Sequence, residues 1–205
     1  MRLIERVDAV RERWNVLRHP FYQRWSAGEL TREELSFYAG EYRHAVVELA
    51  EASERVAVLA DDPELDLHAA QERSHVELWD RFAEALGADL DREPLPETVA
   101  CAASWTAAAD ELEGLVTLYS VEAGQPAVSQ TKLAGLSEHY GVTDSDPAAS
   151  YFALHSTLDV EHAEHDRVLI EGRMADADSD RLVSVAEAAV KAHWRLLDGV
   201  ERASL

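Results

Sequence analysis

Two imidazoles and a carboxylate, His155, Asp159 and His162, stand at i, i+4 and i+7 in the stretch Tyr151-Phe-Ala-Leu-His155-Ser-Thr-Leu-Asp159-Val-Glu-His162. On an α-helix these offsets share one face, in a line about two turns long. Neutral imidazole and carboxylate are natural ligands of a first-row transition metal. A folded chain gains little by aligning them unless a cation sits opposite. The other reading is a polar strip turned to solvent, which Glu161, Glu164 and His165 would extend.

Two further stretches place polar groups on faces that should be buried. Glu72 and His75 lie one turn apart and precede Leu78, Trp79 and Phe82 on one broad apolar face. Glu122 follows Leu118 by one turn, among the core-type residues Leu115, Tyr119 and Val121 and close to Pro126. An isolated buried carboxylate is costly, so Glu122 needs a partner. Together these are three histidines and three carboxylates, a count suited to two non-haem iron or manganese ions with positions left open for oxygen. The plainer alternatives are a surface position for Glu72 and His75 and an arginine partner for Glu122. His68, one turn before Glu72, is expected to be exposed or else to support a ligand. Glu41 and Glu48 on the preceding helix are lower-ranked substitutes for the first carboxylate.

The elements that must carry these groups are all helical. Leu3, Ile4, Val7, Val10, Trp14 and Leu17 follow the helical period, and Pro20 ends that run. A short piece through Tyr22 and Trp25 closes at Gly28. Thr31-Arg-Glu-Glu34 is a capping box, predicting a long helix to about Ala60. Further helices are expected over Glu64 to Leu86, Glu97 to Ala109, Asp110 to Tyr140 with a kink at Pro126, Asp146-Pro147 to Gly172, and Ser179 to Val200. The expected fold class is an all-α bundle of about seven helices in one domain over residues 1–205, with ligand sites in its core.

The charge of −21 opposes nucleic acid or an anionic membrane as a partner. No apolar run is long enough to cross a membrane, and the charged start predicts no signal peptide. The single cysteine, Cys101, cannot close an internal disulfide, which fits a reducing cytoplasm. Only two lysines occur, Lys132 and Lys191, beside 17 arginines.

The run His19-Pro-Phe-Tyr22-Gln-Arg-Trp25 to Tyr38 resembles the opening of the TENA/THI-4/PqqC superfamily, which has the haem-oxygenase-like fold. Leu118-Tyr-Ser-Val-Glu122-Ala-Gly-Gln-Pro126, then Lys132-Leu-Ala-Gly-Leu and Tyr151-Phe-Ala-Leu-His155, resemble its 4-aminobenzoate-making branch, that of the chlamydial protein associating with death domains. The resemblance implies metal ligation by Glu122, His155, Asp159, His162 and His75. The branch often carries Glu where this chain has His68, and Glu72 resembles the carboxylate of other dimetal oxidases of the fold. It also implies self-sacrifice, with Tyr22 giving the aromatic ring, Lys132 the amino nitrogen, and Tyr38 and Tyr151 standing near the site. A branch tyrosine just before the metal-binding Glu is Val121 here, which removes any radical relay through that position.

The expected cofactors are two non-haem metal ions, Fe/Fe or Fe/Mn, with O2 as co-substrate and an external reductant. Dimers are common in this fold, and no stretch of the chain by itself specifies one. A phenol is the side chain most easily oxidised beside such ions, and an amine held next to it gains from proximity. Burial would favour the neutral amine that Lys132 needs to attack. The plain alternatives are core aromatics for Tyr22 and Tyr38 and a solvated Lys132. The competing functions are a dimetal oxidase of an external amino acid or fatty acid, and a metal-free TenA- or PqqC-like enzyme. A pure interaction protein has no support in the residues.

Overall fold

Side chains set most of the helix starts. The Thr31 hydroxyl accepts from the Glu34 amide at 3.2 Å, and the Glu34 carboxylate accepts from the Thr31 amide at 2.7 Å. That capping box opens the long helix over Arg32–Ala60. Asp62 accepts from Glu64 N ahead of Pro63, Asp110 from Glu113 N, and Asp146 from Ala148 N ahead of Pro147. Each satisfies an amide that the first helical turn leaves without a partner. Gly28 and Gly87 close their helices in the left-handed region, at φ 70° and 73°.

The computed structural model describes residues 2–143, 146–174 and 177–204. Its ten α-helical segments are α1 (Leu3–Arg13), α2 (Pro20–Ala27), α3 (Arg32–Ala60), α4 (Pro63–Leu86), α5 (Pro96–Trp105), α6 (Glu111–Glu122), α7 (Gln125–His139), α8 (Ser150–His155), α9 (Leu158–Arg173) and α10 (Ser179–Ser204). Single 3₁₀ turns occupy Val16–Arg18 and Pro147–Ala149. No strand occurs among the described residues. The fold is an all-α bundle. α3 and α4 pack along their lengths, α10 lies against α1, α5 and α6, and α6 meets α3, α9 and α10. Every residue of α6 from Gly114 to Glu122 is buried, as expected of a helix enclosed on all sides.

Three expected helices end or divide differently. The helix after Pro96 stops at Trp105 rather than Ala109, where the Thr106 hydroxyl bonds back to Ala102 O at 3.0 Å. The stretch from Asp110 to Tyr140 is two helices, broken at Ala123 and Gly124. Pro126 sits in the first turn of α7, where its missing N–H costs nothing, so it starts a helix instead of kinking one. The stretch expected from Pro147 to Gly172 breaks at Ser156 and Thr157, whose hydroxyls bond the Ala153 and Leu154 carbonyls. Such bonds compete with the helical ladder. His155 therefore ends α8 while Asp159 and His162 begin α9. The three are brought together by a bent pair of helices, not by one straight face.

Candidate metal centre and the aromatic chamber beside it

Four helix segments converge on one polar cluster. α4 supplies His68, Glu72 and His75, α6 ends on Glu122, α8 ends on His155, and α9 carries Asp159, His162 and Asp166. All eight side chains are buried. Donor atoms of Glu72, His75 and His155 lie within 4.8 Å of one another, and so do those of His68, Glu72 and His162. Glu72 belongs to both triads. Its Oε1 is 3.0 Å from His75 Nδ1, 3.9 Å from His155 Nε2 and 4.0 Å from His162 Nδ1. His68 Nε2 is 3.2 Å from Glu122 Oε1, and the His68 and His162 rings lie 3.8 Å apart.

The outer nitrogens orient these rings. His155 Nδ1 donates to Tyr151 O at 2.7 Å, which leaves Nε2 with its lone pair toward the cluster. His162 Nε2 donates to the Gln71 side-chain oxygen at 3.1 Å, which leaves Nδ1 inward. This is how proteins fix the tautomer of a ligating histidine. The inward atoms have no hydrogen-bond partner: His68 Nε2, His155 Nε2, His162 Nδ1 and both carboxylate oxygens of Glu122, Asp159 and Asp166. Buried polar atoms are almost always paired, and so many inward donor atoms in one place are compatible with a metal site. The nitrogen and carboxylate donors suit iron or manganese.

The electrostatics agree. Burial disfavours the Glu72 carboxylate, yet the His155 and His75 imidazoles outweigh it and hold the group well below the usual carboxylate range. Burial, then the Glu72 charge, raises Glu122 well above that range. Burial with Glu122 and Glu72 pushes Asp159 up to about 8 against the pull of His155, and burial with Glu122 raises Asp166. Burial and the His68 ring push His162 down to about 3.

The six side chains expected to ligate metal lie together in this cluster. His68 corrects its expected exposure: it is 4% exposed and points at Glu122. Glu41 does not join them; it is spent on Arg92 Nε at 2.8 Å and Leu95 N at 2.7 Å, pinning the loop before α5. Glu48 is half-buried on α3, where burial and the Glu51 charge raise it. Asp166 was missed, although its place four residues after His162 continues the polar face of α9. Glu161 and Glu164 face solvent, and His165 pairs with Glu64 at 2.9 Å.

Beside the cluster is an aromatic chamber built around Lys132 of α7. Its Nζ lies 4.9 Å from the ring centre of Tyr42, 5.1 Å from Phe152, 5.2 Å from Trp79, 5.3 Å from Tyr38 and 5.6 Å from Tyr22. Lys132 is 2% exposed, and burial pushes its pKa down to about 7. Trp25 Nε1 donates to Lys132 O at 3.3 Å, and a Cβ on Gly135 would stand 2.6 Å from the Trp25 ring. That close approach holds α7 against α2 and fixes where the lysine enters. Tyr22 and Tyr38 share a hydrogen bond at 3.2 Å, and burial raises both phenols. Tyr151 joins chamber to cluster, stacked on His155 at 4.0 Å and edge-on to Trp79 at 5.0 Å. Cys101 is buried in α5, and burial raises its thiol, which opposes a nucleophilic role.

A family described as iron-containing redox enzymes matches residues 68–194, the span that holds every member of the cluster. The chain belongs to that family. Two relatives are named 4-aminobenzoate synthase. The protein of Nitrosomonas europaea is 31% identical over 96% of this chain and 89% of its own. That of Chlamydia muridarum is 30% identical over 97% and 89%. Among solved structures, a haem-oxygenase-like domain from Shewanella denitrificans OS217 aligns with TM-score 0.82 at 21% identity, over 99% of this chain and 93% of that one. A TenA homologue from P. horikoshii OT3 aligns at 0.80 and 18%, over 98% and 99%. The fold is haem-oxygenase-like, and the family is one of redox enzymes. No described helix is long and apolar enough to cross a membrane.

Proposed function

We propose that this chain is an oxygen-dependent dimetal oxidase that makes 4-aminobenzoate, a folate precursor, from its own Tyr22 with nitrogen from Lys132. The observation that carries this reading is Lys132 itself, a buried amine among Tyr22, Tyr38 and Tyr42, one ring layer from the His and carboxylate cluster. The names of the relatives and the family of redox enzymes support it.

Glu72, His75, Glu122, His155, Asp159 and His162 would hold the metals, with His68 as a seventh donor and Glu72 a member of both donor triads. Bound there, a pair of iron ions, or iron with manganese, supplies electrons from an external reductant to O2 and the oxidising power to activate a phenol. The chain's own residues do the rest. Burial in the chamber lowers the Lys132 pKa to about 7, so near neutrality a large share of the amine is unprotonated and free to act as a nucleophile. Tyr38 holds the Tyr22 hydroxyl, and the surrounding rings keep the phenol and amine in one enclosure, which replaces a bimolecular encounter by a fixed one.

The gene should rescue a 4-aminobenzoate auxotroph, and a Tyr22→Phe variant should not. Full rescue by that variant would end the self-sacrificing reading. A cavity of about 670 Å³ that reaches Asp159 favours a second reading, oxidation of an external small molecule. In that case Tyr22 stays intact through turnover.

A further inference from the structure

A buried tyrosine and a buried histidine that this scheme does not use form a hydrogen-bonded pair at the chamber wall. The Tyr42 hydroxyl of α3 and His193 Nε2 of α10 share a hydrogen bond at 2.9 Å. An imidazole that accepts at Nε2 is neutral there, with its proton on Nδ1. Burial and the neighbouring Lys132 lower the His193 pKa to about 3, in keeping with that state.

The rings around Tyr42 make a continuous file. Tyr151 stacks on the candidate ligand His155 at 4.0 Å, Trp79 meets Tyr151 at 5.0 Å, and Tyr42 meets Trp79 at 5.1 Å. Tyr38 meets Tyr42 at 5.2 Å, and its hydroxyl bonds that of Tyr22. Electron tunnelling falls steeply with the gap between groups, so rings in contact are the preferred route through a protein. Beside Glu122 stands Val121, which is not oxidisable.

We propose that Tyr42 is the redox relay between the metal cluster and Tyr22, and that His193 takes its phenol proton as the electron leaves. The proposal rests on the oxidase reading, because its oxidant is a metal centre oxidised by O2. In the step, Tyr42 loses one electron through Trp79 and Tyr151 to that centre, which is reduced by one. The O–H bond breaks, the proton forms an N–H bond at His193 Nε2, and a neutral phenoxyl radical remains. Without the base, the oxidised phenol would be a charged group in an apolar chamber. Among the described residues the Tyr22 and Tyr38 hydroxyls bond each other, whereas the Tyr42 hydroxyl bonds an imidazole. His193 also lines the cavity that reaches exposed Glu12 and Glu164, so the captured proton has a way to solvent.

The test is freeze-quench EPR of reduced, iron-loaded protein mixed with O2, with wild type beside Tyr42→Phe and His193→Gln. Phe keeps the ring contacts and removes the proton, while Gln can accept the hydrogen bond without taking the proton. Wild type should give a tyrosyl radical. Both variants should lose it at least tenfold and lose product per chain to match, while iron content, folding and the initial O2 uptake stay at wild-type values. A wild-type radical and yield in Tyr42→Phe overturns the proposal, as does wild-type product formed with no tyrosyl signal. If Tyr42→Phe folds poorly, His193→Gln decides alone. A wild type that consumes O2 and shows the Tyr42 radical while sparing Tyr22 would sink the self-sacrificing function instead.

Discussion

The metal cluster and the Lys132 chamber are neighbours with opposite problems. The cluster gathers four histidines and four carboxylates with no positive side chain among them, and many of its inward atoms have no partner. The chamber gathers five aromatic rings around a single amine. One region lacks a cation and the other burdens one with burial. Neither helps the chain to fold: lone pairs without partners and a dehydrated lysine both cost stability. Two such penalties joined by the ring of Tyr151 are what a site selected for chemistry rather than stability looks like.

The largest effect should come from relieving the chamber. Lys132→Met keeps the volume and removes the amine, so product should vanish while stability rises. The sign follows from titration: the unfolded lysine holds its proton to about pH 10.5, the folded one only to about 7. The penalty is therefore fully present below pH 7 and fades as pH rises toward 10.5, amounting to roughly 4 kcal/mol near neutrality. Thermal unfolding at pH 7 should show the variant more stable by several degrees. A less stable Lys132→Met would mean that the chamber welcomes the charge.

In the cluster, Glu72→Ala removes the carboxylate shared by both triads. Metal titration should show two ions per chain in the wild type and, in the variant, affinity weaker by more than about 100-fold. Unchanged stoichiometry and affinity would contradict the shared role. Lys132→Met should bind metal normally, and this separates the two regions.

The pH response of the metal-free cluster separates the two regions in a third way. The folded chain keeps the Asp159 proton to about pH 8, whereas the unfolded chain releases it near 3.8. Its contribution to stability thus falls as pH rises from about 4 to 8. Asp159→Asn should gain on the wild type across that window in urea unfolding of chelated protein. Bound metal should reverse the order, since it needs the carboxylate. A difference flat with pH would show that Asp159 does not hold its proton.

Local chemistry made much of this legible in the sequence. The Thr31–Glu34 box and the Asp110 and Asp146 caps each act within a few residues, and the helix starts follow from them, whereas the Asp62 cap reads in the sequence as part of a helix end and is overlooked there. The breaks did not follow, because Ser156 and Thr157 can either continue a helix or bond back to its carbonyls, and only the surrounding packing decides. The burial of His68 and Asp166 was hidden for a related reason: on a charged helix, polar residues on the buried and solvated faces look alike. The Tyr42–His193 pair joins residues 151 positions apart, and no local pattern reports such a contact.

The most direct test of the central claim is a single turnover of metal-loaded protein labelled with ring-¹³C tyrosine and ¹⁵N lysine, followed by mass analysis of 4-aminobenzoate and of the peptides around Tyr22 and Lys132. The account predicts product that carries both labels, with both peptides altered. Labelled peptides left intact after O2 is consumed, or product without protein-derived carbon and nitrogen, would contradict it.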